Sequence, residues 1–146
     1  MSGLASIAIT AEPIEGTAEA WGNTKPILHE IRHGLKRLAE TGESTKIDLN
    51  SIPFGPGDEK RLLAMLGKGE VEANVDALGP SRVWESAIHG VWLIDYRNLD
   101  EQRLALHIEI ATIPDILRTQ PQDIQDAIDK LETLLETVSG DSGPKS

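Results

Sequence analysis

The chain has no cysteine. That excludes disulfides, a thiolate nucleophile, and thiolate ligation of zinc or an iron–sulfur cluster by this chain. Aromatic residues make up only 3% of it, so a core has to be built from Leu, Ile, Val and Ala, and each of the three tryptophans becomes conspicuous. Positive charge is also scarce: 14 Lys and Arg against 24 Asp and Glu give a formal net charge of −10. Such a balance argues against nucleic acid and against an anionic membrane surface, both of which need clustered cations. No apolar run approaches the length of a membrane span, and the opening MSGLASIAIT lacks the basic start of a secretory signal. These absences predict a soluble, cytoplasmic, acidic protein.

What is present is enough for one core. At 146 residues the chain fits a single domain, expected over residues 23–138. Residues 1–22 read as a loose arm, and 139–146 as a disordered polar tail.

The strongest strand character lies between Gly67 and Arg97. Val71, Ala73, Val75 and Ala77 alternate with Glu72, Asn74 and Asp76, the period of a half-buried strand. Leu78-Gly79-Pro80 interrupts the run, and extended sequence resumes to Tyr96. If that second part is one regular strand, Trp84, Trp92 and Tyr96 share a face with Ile88 and Ile94, and Val83, Ala87, Val91 and Leu93 take the other. A bulge at His89-Gly90 would reset this parity. Either both faces are covered or one awaits a partner.

Around this stretch the pattern is helical and extended in turn. Ile27, Leu28, Ile31, Leu35 and Leu38 mark a helix over 25–41, with Asn23 or Thr24 as cap, Pro26 in the first turn and Gly42 as its stop. A short strand is expected over 45–49, and a second helix from Asp58 to Leu66, closed by Gly67. Residues 103–111 form a further strand, with Leu104, Leu106, Ile108 and Ile110 on one face and His107 and Glu109 on the other. The last helix starts at Pro121 and runs to about Val138, with Ile124, Ala127, Ile128, Leu131, Leu134 and Leu135 as its core face. Its acidic residues, Asp123, Asp126, Asp129, Glu132 and Glu136, read as a solvated face or as an acidic docking surface. The fold class is therefore α+β: an antiparallel sheet of four or five strands with helices packed mainly on one face.

One catalytic motif has to be weighed. His29-Glu30-Ile31-Arg32-His33 matches H-E-x-x-H on a helix, where two histidines one turn apart can hold zinc and the glutamate can activate bound water. Against it, Arg32 intrudes inside the motif, and Lys36 and Ala39 stand where the extended form has Gly and a third His. Two ordinary surface histidines explain the pattern equally. Glu43 and Glu59 are the available third ligands, and nothing singles out either. His89 and His107 read as structural strand histidines. No G-x-S-x-G elbow, phosphate loop or dinucleotide fingerprint is present, and Gly67-Lys68-Gly69 is a helix stop before a strand.

The central stretch resembles a known family. Leu62-Leu-Ala-Met-Leu-Gly-Lys-Gly-Glu-Val71, Ser81-Arg-Val-Trp-Glu-Ser86, Gly90-Val91-Trp92 and Ile110-Ala-Thr-Ile-Pro114 are similar, in order and spacing, to the HupH/HyaF/HoxQ family of hydrogenase expression and formation proteins. The resemblance covers roughly residues 47–117. Typical members are longer, so this chain looks like a short, single-unit member. The resemblance implies an accessory, chaperone-like protein in nickel–iron hydrogenase maturation. It would bind a subunit precursor, particularly the iron–sulfur small subunit, or another maturation protein. The family has no established catalytic residues and the resemblance implies no cofactor. The expected partner-binding residues are Trp84, Glu85, Ser86, Gly90 and Trp92, with Gly69 and Glu70 shaping the neighbouring turn. A homodimer is a further expected association. The alternatives are a small zinc-dependent hydrolase built on His29, Glu30 and His33, and a homodimeric structural domain without a client.

Overall fold

The computed structural model describes residues 24–76 and 79–142. The expected N-terminal arm and residues 143–146 lie outside these. Helix α1 (Thr24–Thr41) is followed by strand β1 (Thr45–Asp48) and a 3-10 turn (Leu49–Ser51). Helix α2 (Asp58–Leu66) leads into strands β2 (Glu72–Asp76), β3 (Pro80–Glu85), β4 (Val91–Arg97) and β5 (Arg103–Ile110). A second 3-10 turn (Asp115–Leu117) precedes helix α3 (Pro121–Ser142).

The five strands form one antiparallel sheet in the order β1-β5-β4-β3-β2. The fold is α+β. Short connections between β2, β3, β4 and β5 favour this pairing, because neighbours in sequence can pair only after reversing direction. β1 joins the far side of β5, with Ile47 opposite Ile108.

Two compact units divide between Pro114 and Asp115. In the first, α1 and α2 cover one face of the sheet. Ile27 and Ile31 from α1 and Leu62 and Leu66 from α2 pack in one cluster with Ile47, Val91, Leu93, Leu106, Ile108 and Ile110. The helical stripe of α1 thus does what its spacing predicts. Gly34 lets α1 come close to the sheet: a Cβ there would lie 2.9 Å from Ile110 Cδ1. At the other end of this face the buried Asp95 carboxylate accepts from Arg97 at 2.9 Å and Arg103 at 3.4 Å, and Arg103 reaches Glu59 of α2 at 2.8 Å. That chain of charges ties α2 to β4 and β5.

The opposite face is also closed at its centre. Val83 and Ile94 are fully buried, and Trp92 and Glu109 nearly so. β4 is therefore a central strand covered on both sides, which accounts for its near-continuous apolar run.

Four expectations need correction. Trp84 does not share a face with Trp92 and Tyr96. Residues 86–90 form a turn between two strands, Trp84 pairs with Leu93 and Glu85 with Trp92, so Trp84 joins the helix-covered face. By the same register Val83 lies opposite Ile94 and on its face. Of the two expected caps of α1, Asn23 lies outside the described residues, and Thr24 does not act as one, since its buried hydroxyl has no hydrogen-bond partner among them. The core face expected for α3 is exposed along its length, and the helix continues past Val138 to Ser142.

Candidate functional site

The residues singled out in the central stretch meet at one knot of backbone. Gly67 ends α2 with φ 70°, its N–H donating to Leu63 O at 3.0 Å. That positive φ turns the chain back toward the sheet, a turn that glycine makes without a Cβ penalty. The Gly69 N–H then donates to Glu85 O at 2.7 Å, the Glu85 N–H to Val71 O at 3.0 Å, and the Ala87 N–H to Leu66 O at 2.9 Å. The end of α2 and the end of β3 are thereby laced together.

The turn that follows is built from its own side chains. Ser86, fully buried, donates from Oγ to Ile88 O at 2.9 Å and accepts from the Ile88 N–H at 3.1 Å. The Glu85 carboxylate accepts from the Gly90 N–H at 2.9 Å. Gly90 has φ 87°, and its carbonyl accepts from Ala111 N–H at 2.9 Å, which joins the end of β5 to the knot. Trp92 adds a second tie there, its indole Nε1 donating to Ala111 O at 3.0 Å.

Gly69, Glu85, Ser86, Gly90 and Trp92 are thus brought together by hydrogen bonds within the fold. Ser86 and Trp92 present almost nothing to solvent, whereas Glu70 is exposed. Trp84 is half-buried against the core, and the Arg82 guanidinium lies 5.1 Å above its ring. Arg82 is held in turn by Glu72, to which it donates from Nε at 3.0 Å, and Lys68 pairs with the same carboxylate at 2.6 Å. The side-chain hydrogen bonds from Lys68 and Arg82 hold the Glu72 pKa below its ordinary value.

The outward part of the knot is the tip of the turn. His89 is 95% exposed, and Ile88 is an exposed large apolar residue. In the sequence Ile88 reads as a strand position, and His89 as a strand histidine or part of a bulge with Gly90. The signal was there: Ser86 two residues before Ile88, with Gly90 two beyond, reads as a serine-closed turn ending in glycine.

His29, Glu30 and His33 lie on the solvent side of α1, all three exposed. Among the described residues no three His, Asp or Glu side chains are grouped so as to hold a metal ion. Neither Glu43, paired with Arg37 at 2.7 Å, nor Glu59, paired with Arg103, completes a site with them. His107 packs its ring edgewise on Tyr96, with centroids 5.1 Å apart. No helix of the described residues is long and apolar enough to cross a membrane.

Residues 22–138 match the family model described as HupH hydrogenase expression protein, C-terminal conserved region. The chain belongs to this family. It is 29% identical over 118 residues to the hydrogenase expression/formation protein HoxQ of Azotobacter vinelandii, a match covering 80% of this chain and 42% of that one. It is 21% identical over 127 residues to the hydrogenase-1 operon protein HyaF of Escherichia coli, again covering 42% of the relative. The chain therefore spans less than half the length of these relatives. Among solved structures, the hydrogenase expression protein HupH from Thiobacillus denitrificans superposes with a TM-score of 0.76 at 37% identity, covering 80% of this chain and 97% of that chain. The HupH-family region thus takes in α1, the whole sheet and most of α3, well beyond the central motifs that carry the resemblance.

Proposed function

We propose that this HupH-family protein is a non-catalytic accessory factor in hydrogenase maturation that binds a hydrogenase subunit precursor or another maturation protein. The precursor of the iron–sulfur small subunit is the first candidate. The observation that carries this reading is the convergence of the family-like motifs on one rigid knot with an exposed tip. Gly69, Ser86, Gly90 and Trp92 act as its scaffold. Glu70, Glu85 and the tip residues Ile88 and His89 form the binding surface, with the open part of Trp84 flanking it on the other face of β3. An apolar side chain flanked by a carboxylate and an imidazole suits a segment of unfinished protein, offering contact area together with hydrogen bonds that orient it. A knot closed by backbone hydrogen bonds also keeps the tip in one shape, which lowers the ordering cost of binding.

The test is affinity co-purification from cells expressing a hydrogenase operon, with partners identified by mass spectrometry. Recovery of a hydrogenase subunit precursor or a maturation protein supports the reading. A wild-type chain that recovers neither while hydrogenase is being made overturns it. An Ile88→Glu/His89→Glu variant then tests the surface. Both side chains are exposed, so the fold should persist, and undiminished recovery would remove the tip from the interface.

A further inference from the structure

The second unit carries a surface that the maturation reading does not use. In α3 the residues Ile124, Ile128, Leu131, Leu135 and Val138 recur at alternate spacings of four and three. This is the heptad rhythm that keeps one seam of a helix facing a partner helix. Ala127 and Leu134 widen the seam along one side. All of its large residues are open to solvent, from 45% for Ile128 to 62% for Val138. In α1, by contrast, the apolar stripe is shut away, with Ile27 at 2% and Ile31 at 3%.

We propose that the seam of α3 pairs with the same seam on a second copy of this chain, giving a homodimer held by a two-stranded helical pair. Charge placement selects this occupant. Asp123, Asp126, Asp129, Lys130 and Glu136 fall at heptad positions turned away from the seam, so two such acidic helices can approach without setting these charges against each other. The positions that flank the seam are Gln125, Ala127, Glu132, Leu134 and Ser139. Flanking charges are what ordinarily choose a foreign partner. Between Ile124 and Val138 Glu132 is the single flanking charge, and no row of cations or anions marks the seam for a helix of opposite sign. An anionic surface is disfavoured by the six carboxylates of the helix.

The area is sufficient. Between 45% and 62% of each of the six large residues is exposed, and complete covering of that area on two copies would bury about 1,000 Å², the lower bound of a specific interface. A seam this short makes a reversible dimer, dependent on concentration. The inference does not rest on the hydrogenase reading.

Sedimentation equilibrium of the full chain, from about 5 to about 200 µM, reads the outcome directly. The expected result is a rise from the 15.9 kDa of one chain towards twice that mass. A Leu131→Glu/Leu135→Glu variant should stay at 15.9 kDa throughout, because it sets charges in the seam. Leu99→Glu, at an exposed residue between β4 and β5, should dimerise like the wild type. A wild-type chain that remains monomeric overturns the proposal and leaves the seam for a different protein. So does a dimer that survives the seam variant, or one that Leu99→Glu abolishes.

Discussion

Gly69 lies hard against the backbone of Ser86: a Cβ on Gly69 would stand 2.6 Å from Ser86 O and 3.2 Å from Glu85 O. Both oxygens belong to the backbone, so no side chain can swing aside to make room. Gly69→Ala should therefore displace the β3–β4 turn and destabilise the fold by about 1–3 kcal/mol, the usual cost of overpacking. Urea denaturation followed by tryptophan fluorescence measures this. A midpoint equal to the wild type would show that the turn is not anchored on Gly69.

Trp92 and Trp84 should respond differently to substitution. Trp92→Phe deletes the indole N–H that reaches Ala111 O and leaves a buried carbonyl short of its partner, a loss of about 1–3 kcal/mol. Trp84→Phe removes no hydrogen bond among those described and sits at a half-buried site, so about 1 kcal/mol or less is expected. Comparing the two unfolding midpoints decides it, and equal losses would contradict the opposite placement of the two side chains.

Glu72 supplies a pH dependence of known sign. Its pKa is lowered in the folded protein, first by the hydrogen bond from Lys68 and then by that from Arg82. A carboxylate with a depressed folded pKa contributes stability above its unfolded pKa and loses it as pH falls through the folded value. The stability difference between wild type and Glu72→Gln should accordingly be constant near neutral pH and shrink below the ordinary glutamate range. Because the group lies at the surface, the difference should also be small and fall with added salt. A gap that widens on acidification would assign the ion pairs no stabilising role.

Thr24 offers a gain. Its hydroxyl is buried without a partner among the described residues, and valine has the same shape without the polar atom. Thr24→Val should raise stability by about 1 kcal/mol, because an unsatisfied buried hydroxyl costs 1–3 kcal/mol. Loss of stability on this change would point to a role for the hydroxyl at the start of α1.

The readings that succeeded rest on local chemistry. The α1 stripe, the Gly67 stop and the alternation over Leu106, Ile108 and Ile110 each depend on a few neighbouring residues, and each lies where its periodicity predicts. The failures share a different cause. Treating residues 82–97 as one strand placed Trp84 with Trp92, although Ser86 and Gly90 mark a turn. One turn inserted into an alternating pattern exchanges the two faces for everything beyond it. The H-E-x-x-H alternative gains no support for a related reason: among the described residues no third ligand stands beside the motif, and α1 turns that side to solvent.

By itself the sequence determined most of the elements, the α+β class, the exclusion of cysteine chemistry and, through short ordered motifs, the family. These are properties of composition and of spacing within one element. Only the tertiary structure decided that the family-like motifs are mostly the scaffold of a knot, with Ile88 and His89 outward, because hydrogen bonds between α2, β3 and β5 join residues far apart in the chain. It also decided that one apolar stripe, on α1, is core while another, on α3, faces solvent. An amphipathic helix states which of its sides is apolar. Whether that side is buried depends on what the rest of the chain places against it.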